Sequence, residues 1–319
     1  MRQPYYYLAP ILGIFSLGAA ALGAIVQLQG LNLPYPETRG KTTVPLSPLA
    51  GGRVFAVDVK VGETRGPFLL DTGASTTMVA TPLVEELGLL GEAIPGDRIN
   101  SAVAGDECPE MNATLHRLPP MELGGVEITE LRGLEFEAAV IPDDLSGVLG
   151  MDVLGEFDVE IDSKNRELRL LPPSELPPEL SSEAIPLRNR LGVMVASVAI
   201  ADRGSFSFML DTGAETIFIS EDLADRLEID PASRSDVQVL GFCGLEMATR
   251  STLSTVRLGP RQLNNLEAVI LSSPSVLDLL EVDGIIGQTF LGEYRQYWRF
   301  DTVRSRSEKW GGSLLLNEF

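Results

Sequence analysis

The sequence predicts a mostly β, bilobal protein made by internal duplication, with an apolar segment read as a helix ahead of the first lobe. Three observations carry that expectation. One strand-to-turn stretch occurs twice, Phe68 to Ser75 as FLLDTGAS and Phe208 to Glu215 as FMLDTGAE. The residues flanking the two copies match in order and spacing. An alternating apolar strand precedes each copy, at Val54 to Val61 and at Val193 to Ile200, with the period of two that a half-buried strand requires.

The apolar segment comes first. After Arg2, Leu8 to Val26 is a run of nineteen residues without a charge, rich in Leu, Ala, Ile and Gly. Such a run is about long enough to cross a bilayer core, and its small residues around Ala19 to Ala24 also suit a secretory cleavage site. Residues 1–29 are therefore expected to be a signal peptide or a transmembrane anchor. Either leaves Arg2 inside and exports the rest, to a periplasmic or otherwise extracytoplasmic place, held by a single N-terminal transmembrane helix if uncleaved. Gly13, Gly18 and Gly23 weaken the third reading, a helix buried in a globular core. Residues 30–43, with Gly30, Pro34, Pro36 and Gly40, read as a tether.

The first lobe is expected over residues 44–173 and the second over 185–319, joined by a linker at 174–184. That linker falls in Leu171 to Glu183 (LPPSELPPELSSE), where prolines and acids favour an extended chain. Val44-Pro45-Leu46 begins 27 residues before Asp71, and Ile185-Pro186-Leu187 begins 26 before Asp211. Alternating strands follow at Val54 to Val61 and Val193 to Ile200. After the turns come short helices: Thr81 is read as the cap of Pro82 to Leu87 with Gly88 as the stop, and Ser220 as the cap of Glu221 to Leu227. Val148-Leu149-Gly150 ends 79 residues after Asp71, and Ile285-Ile286-Gly287 ends 76 after Asp211, so the register is kept through each unit.

Composition narrows the chemistry. With 319 residues and 44% hydrophobic content, two cores can be filled. A net charge of −20, from 45 acidic against 25 basic residues, argues against nucleic acid or an anionic membrane surface as partner. Two cysteines and one histidine leave no metal-ligand set of ordinary spacing, and neither a metal nor a cofactor is expected.

A strand running into Asp-Thr-Gly puts a carboxylate at the mouth of a turn whose glycine admits a second chain segment closely. Two such turns facing each other would bring Asp71 and Asp211 together. Two carboxylates in contact cannot both ionise easily, so they hold one proton between them. The ionised member can then serve as general base on a water while the other donates to a carbonyl oxygen, which hydrolyses a peptide bond without metal or covalent intermediate. One Asp-Thr-Gly arises by chance in roughly one chain of this length in fifteen; two in matching contexts weigh far more. The competing reading is a pair of ordinary junctions in which each Asp bonds only its own loop.

Together the two DTGA loops and the two downstream hydrophobic-hydrophobic-Gly motifs resemble the aspartic proteases of the retropepsin and pepsin clan, over about residues 44 to 310. The resemblance implies a protein or peptide substrate and a hydrophobic-hydrophobic-Gly strand passing behind each turn as a brace. It implies that Asp71 and Asp211 are the catalytic dyad and that Thr72 and Thr212 cross-bond the opposing loops. Gly73 and Gly213 would give backbone amides to the carboxylates. Ala74 and Ala214 stand where pepsins carry a hydroxyl, so the dyad is expected to lose its proton at higher pH than theirs. Both halves lie in one chain, so a monomer suffices, although a dimer in which each lobe meets its own counterpart is also open.

Ser75 and Glu215 make the two loops unequal and are candidate substrate contacts; the plainer reading of Glu215 is a solvated side chain or an ion pair with Arg295 or Arg299. The clan's cleft-closing hairpins correspond to Ile99 to Leu118 and Val237 to Val256, and His116 is read as an exposed residue of the former. Cys108 and Cys243 fall near the two hairpin tips, where a disulfide would latch the cleft; two unpaired thiols are the alternative. A thiol count on denatured, unreduced protein is expected to find none free if the latch exists. Two other functional readings remain: a catalytically silent peptide-binding protein of the same fold, and a self-processing protease that cuts its tether.

Overall fold

The hairpin Phe55–Val61 and Thr64–Leu70 shows how the sequence builds the first lobe. Val57, Val59, Phe68 and Leu70 alternate inward and are buried, and Gly62, at φ 58, takes the first place of the two-residue turn between them, where only glycine is comfortable. The second lobe repeats the plan with Val193–Ile200 and Ser205–Leu210. The computed structural model describes residues 19–20, 24–28, 35–49, 51–94, 99–103, 112–136, 141–142, 144–241, 244–272, 275–301 and 311–319. Among these, the strands gather into a sheet of 11, a sheet of 14 and a separate pair.

The larger sheet holds strands from both halves. Its six adjacent strands Ile185–Arg190, Gly311–Asn317, Arg295–Phe300, Asp158–Asp162, Glu167–Leu171 and Thr42–Pro45 form a platform to which each half contributes three. Trp298, fully buried, packs at its middle beside Phe300. The main apolar cluster accordingly runs unbroken from Val57 and Leu70 through Leu168 to Phe208 and Leu314. Residues 174–184 connect the halves with one short 3-10 turn at Pro178–Leu180.

Several expectations need correction. Residues 37–43, expected in the tether, belong to the fold: Glu37–Gly40 pairs with Val126–Thr129, and Thr42–Pro45 is the outer strand of the platform. No helix among the described residues is long and apolar enough to cross a membrane. The described parts of the nineteen-residue apolar run lie in the strands Ala19–Ala20 and Ala24–Leu28 rather than in a helix. Ile25 and Val26 are β-branched, and strand edges are there to receive them. The remainder of that run lies outside the described residues. Thr81 is the first helical residue, not the cap: Ala80 holds the cap position with extended backbone, and Gly88 closes the helix at φ 58. Ser220 does cap its helix, accepting from the Leu223 amide at 3.1 Å.

Candidate active site

Each dyad strand is held from behind. Gly147–Leu149 lies parallel to Thr64–Leu70, and the Asp71 amide donates to the Leu149 carbonyl at 3.2 Å. Gly284–Ile286 does the same for Ser205–Leu210, with the Asp211 amide on Ile286 at 3.0 Å. The chain then crosses under the loop: the Met151 amide meets the Ala74 carbonyl at 2.8 Å, and the Gln288 amide meets Ala214 at 2.9 Å. That crossing demands the glycine of each motif. A methyl group at Gly287 would stand 2.3 Å from the Thr216 carbonyl oxygen, a backbone atom that cannot yield.

The two loops meet face to face. Oδ1 of Asp71 accepts the Gly73 amide at 2.7 Å, and Oδ1 of Asp211 accepts those of Gly213 at 2.7 Å and Ala214 at 3.2 Å. Each carboxyl also sits on the other loop's glycine: a methyl at Gly73 would come within 2.3 Å of the Asp211 carboxyl carbon, and one at Gly213 within 2.6 Å of that of Asp71. The threonines lock this arrangement. The Thr72 hydroxyl donates to the Leu210 carbonyl at 3.0 Å, and the Thr212 hydroxyl donates to Leu70 at 2.9 Å. Each hydroxyl in turn accepts the other threonine's amide at 3.0 Å.

Both aspartates are fully buried, and the Oδ2 atom of each meets no donor group. Two facing carboxyls can hydrogen-bond only if one carries a proton. Burial, the neighbouring Asp211 charge and a hydrogen bond shared with Asp211 push Asp71 well above the usual carboxylate range. Asp211 is raised chiefly by burial, held back by the bond from Asp71 and by backbone amides of both loops. Both carboxyls are thus held above the usual carboxylate range, and the pair shares a proton.

The other candidates divide. Ser75 is buried and lies against the second lobe's turn, where a methyl at Gly192 would come within 2.8 Å of its Cβ. Glu215 is half-buried and reaches the first lobe's Gly51 in the corresponding way. It does not pair with Arg295 or Arg299, which bond Asp162 at 2.8 Å and Asp158 at 3.4 Å in the platform. His116 is buried, not exposed: its Nε2 lies 2.8 Å from Glu135, and Gly91 opposite leaves room for the ring. Cys108 and Cys243 lie outside the described residues. Among the described residues no cluster of ligating side chains could hold a metal ion.

Comparison with known families follows this geometry. A model described as "Aspartyl protease" matches residues 57–153, and one described as "gag-polyprotein putative aspartyl protease" matches residues 196–293. Each takes in one dyad loop with its bracing strand, and together they span more than half of the chain. The chain belongs to the aspartyl proteases. Among solved structures it is similar to a retropepsin-like aspartic protease from Rickettsia conorii, at 20% identity and a TM-score of 0.29, covering 40% of this chain and 87% of that one. No curated protein matches the sequence.

The two aspartate loops are supported by residues that the sequence motifs do not announce. The indole of Trp298 donates to Gln296 at 3.1 Å, Gln296 donates to Gln288 at 3.4 Å, and Gln288 donates to the Thr212 carbonyl at 3.2 Å. A buried polar chain therefore runs from the platform to the second loop. The first lobe uses Asp152, which accepts the Thr77 hydroxyl at 2.7 Å and amide at 2.9 Å, while that hydroxyl accepts the Gly150 amide. The available signal was a polar residue directly after, or one beyond, each hydrophobic-hydrophobic-Gly motif. The lock between loops has a testable cost. Thr212→Ala leaves the Thr72 amide and Leu70 carbonyl unpaired and should lower stability to denaturant by about 1–3 kcal/mol per group, while Thr212→Ser should restore it.

Proposed function

We propose that this protein is an aspartic endopeptidase that hydrolyses peptide bonds with a water activated between Asp71 and Asp211. One observation carries the reading: two fully buried carboxyls, each seated on the other loop's glycine, with both proton affinities raised. In this reading one carboxyl is ionised and the other protonated, and the cycle is written with Asp211 ionised. Asp211 takes a proton from the water as the water oxygen bonds to the scissile carbonyl carbon, while Asp71 gives its proton to the carbonyl oxygen. The tetrahedral intermediate collapses as the C–N bond breaks. The proton held by Asp211 goes to the leaving nitrogen, and Asp71 recovers its proton from the intermediate's hydroxyl. The amides of Gly73 and Gly213, and the threonine lock, keep the carboxyls in place throughout.

Because one chain supplies both halves of the site, the same reading makes the monomer the working unit. Its test is cleavage of an unbiased peptide mixture by the full chain from about pH 3 to about pH 8. Cleavage should fall on the acid side as the pair takes up a second proton and on the alkaline side as it loses the one it shares. Both limbs should lie above the ordinary aspartate value of about 3.9. Folded protein that binds peptides yet cuts none at any pH would instead be a silent peptide-binding member of the family.

A further inference from the structure

The two dyad loops meet as near-equals, but what stands behind them differs. Leu154-Gly155-Glu156 and Leu291-Gly292-Glu293 align the two halves beyond their bracing strands. Matching backbone bonds support the alignment, the Met151 amide on the Ala74 carbonyl and the Gln288 amide on that of Ala214. Gln288, Gln296 and Trp298 therefore correspond to Met151, Val159 and Ile161, and all six are buried. The counterpart strands lie side by side in the platform, with Val159 opposite Trp298 and Ile161 opposite Gln296. At equivalent buried places, then, the second half carries hydrogen-bonding side chains where the first carries apolar ones.

In the second half these side chains form a series with one direction. An indole N–H can only donate and a backbone carbonyl can only accept. Trp298 at one end and the Thr212 carbonyl at the other therefore dictate how both glutamine amides are turned: each accepts through its oxygen and donates through its nitrogen. The series does not stop at Thr212. Its carbonyl and the amide of Gly213 belong to one planar peptide group, and that amide donates to Oδ1 of Asp211 at 2.7 Å. Four hydrogen bonds thus run head to tail from Trp298 to the carboxyl, with every donor on the Trp298 side. Aligned bonds polarise one another, more strongly away from water, so the series turns its positive end toward Asp211.

Asp71 receives the same last step, the Gly73 amide at 2.7 Å. The side chains of Met151, Val159 and Ile161, however, have no proton to offer the peptide group behind it. Among the described residues the titratable group that faces Asp211 is Asp71. The charges on the strand Arg295–Phe300 alternate with its buried residues and are paired, Arg295 with Asp162 and Arg299 with Asp158. We infer that Gln288, Gln296 and Trp298 are positioning residues that break the symmetry of the dyad, placing the shared negative charge on Asp211 and leaving the shared proton on Asp71. The two aspartates then have fixed roles before a substrate arrives: Asp211 receives the water's proton and Asp71 donates to the carbonyl oxygen. Those roles rest on the peptidase reading of the site, whereas the division of charge does not.

The test reads the carboxyl-carbon NMR signals of Asp71 and Asp211 in the full chain, labelled at aspartate, each assigned by its loss in Asp71→Asn or Asp211→Asn. Between the two titration steps of the pair, the signals report how one negative charge is divided between the carboxyls. In the parent, ionisation should favour Asp211 over Asp71 by about tenfold. Gln288→Met, which supplies the side chain that the first half carries there, should reduce that ratio about threefold or more. Trp298→Phe keeps a ring in the platform and removes only the far N–H, so it should shift both signals the same way by less. The double variant should match Gln288→Met, because the series is already cut. A role in packing alone would leave both signals at their parental positions, whatever the change in stability. Equal division in the parent, a charge resident on Asp71, or a division unchanged by Trp298→Phe and Gln288→Met would overturn the inference. Peptide cleavage by the same chains separates the two readings. A charge held on Asp211 and redistributed by Gln288→Met, in a protein that cuts no peptide, keeps the inference and sinks the peptidase reading. Cleavage with an equal division of charge in every chain does the reverse.

Discussion

Asp71→Asn and Asp211→Asn are each expected to lower peptide cleavage by about 10²–10⁴-fold, and the double variant by little more, because the two carboxyls act as one unit. The same substitutions should stabilise the protein at neutral pH. Both native proton affinities are raised, so the folded chain holds protons that the unfolded chain has released. Stability from this pair is greatest below the unfolded value of about 3.9 and falls as pH rises through the native values. The side-chain amide introduced by Asp211→Asn would keep an acceptor for the Gly213 amide and offer a donor to the Asp71 oxygen that meets none. Thermal melts should therefore rise for Asp211→Asn at pH near 7 and coincide with the parent at pH near 3. A variant that loses activity but melts lower at neutral pH would contradict the assignment of a strained, proton-sharing pair.

Gly73→Ala and Gly213→Ala carry the second large effect. Neither glycine has a left-handed backbone, so the cost is not conformational strain. It is collision, at 2.3 Å and 2.6 Å from the opposing carboxyl carbon. The loops must part or the carboxyl must rotate away, and a displacement of about 1 Å at reacting groups can cost about 100-fold in rate. The lobes themselves should stay folded, because the glycines lie between them and not in their cores. Carboxyl-carbon NMR titration checks the cause directly: in Gly73→Ala the raised proton affinity of the pair should relax toward ordinary values. Full activity with an unchanged titration would mean that the carboxyls do not depend on their close approach.

What the sequence disclosed was local and repeated. The Asp-Thr-Gly turns and the hydrophobic-hydrophobic-Gly strands are each a few adjacent residues, and duplication marked them twice. The platform was hidden because its order is a matter of pairing across distance: nothing near Asp158 says that its strand will lie beside Arg295–Phe300. The described end of the apolar run up to Val26 is strand where a helix was expected, for a different reason. Uncharged aliphatic residues suit a bilayer helix and a paired strand alike, and the partner edges, at 99–103 and 239–240, lie far away in sequence. His116 was misjudged because its burial depends on the space left by Gly91 on a neighbouring strand. Gln288 and Gln296 are ordinary polar residues until the fold lines them up beneath Thr212.

The place of Gly311–Asn317 in the platform bears on when the molecule comes into being. This strand lies between Ile185–Arg190 and Arg295–Phe300, in the interior of the sheet that joins the halves. During synthesis at about 5–20 residues per second, the Asp71 loop and its brace emerge on the order of ten seconds before that strand does. For the first part of that interval, until Asp211 is made, the first lobe has a solitary carboxyl with no partner to share a proton, and throughout it the seam between halves lacks its central stitch. The sheet that joins the two halves is therefore complete only when residues 311–317 have been made.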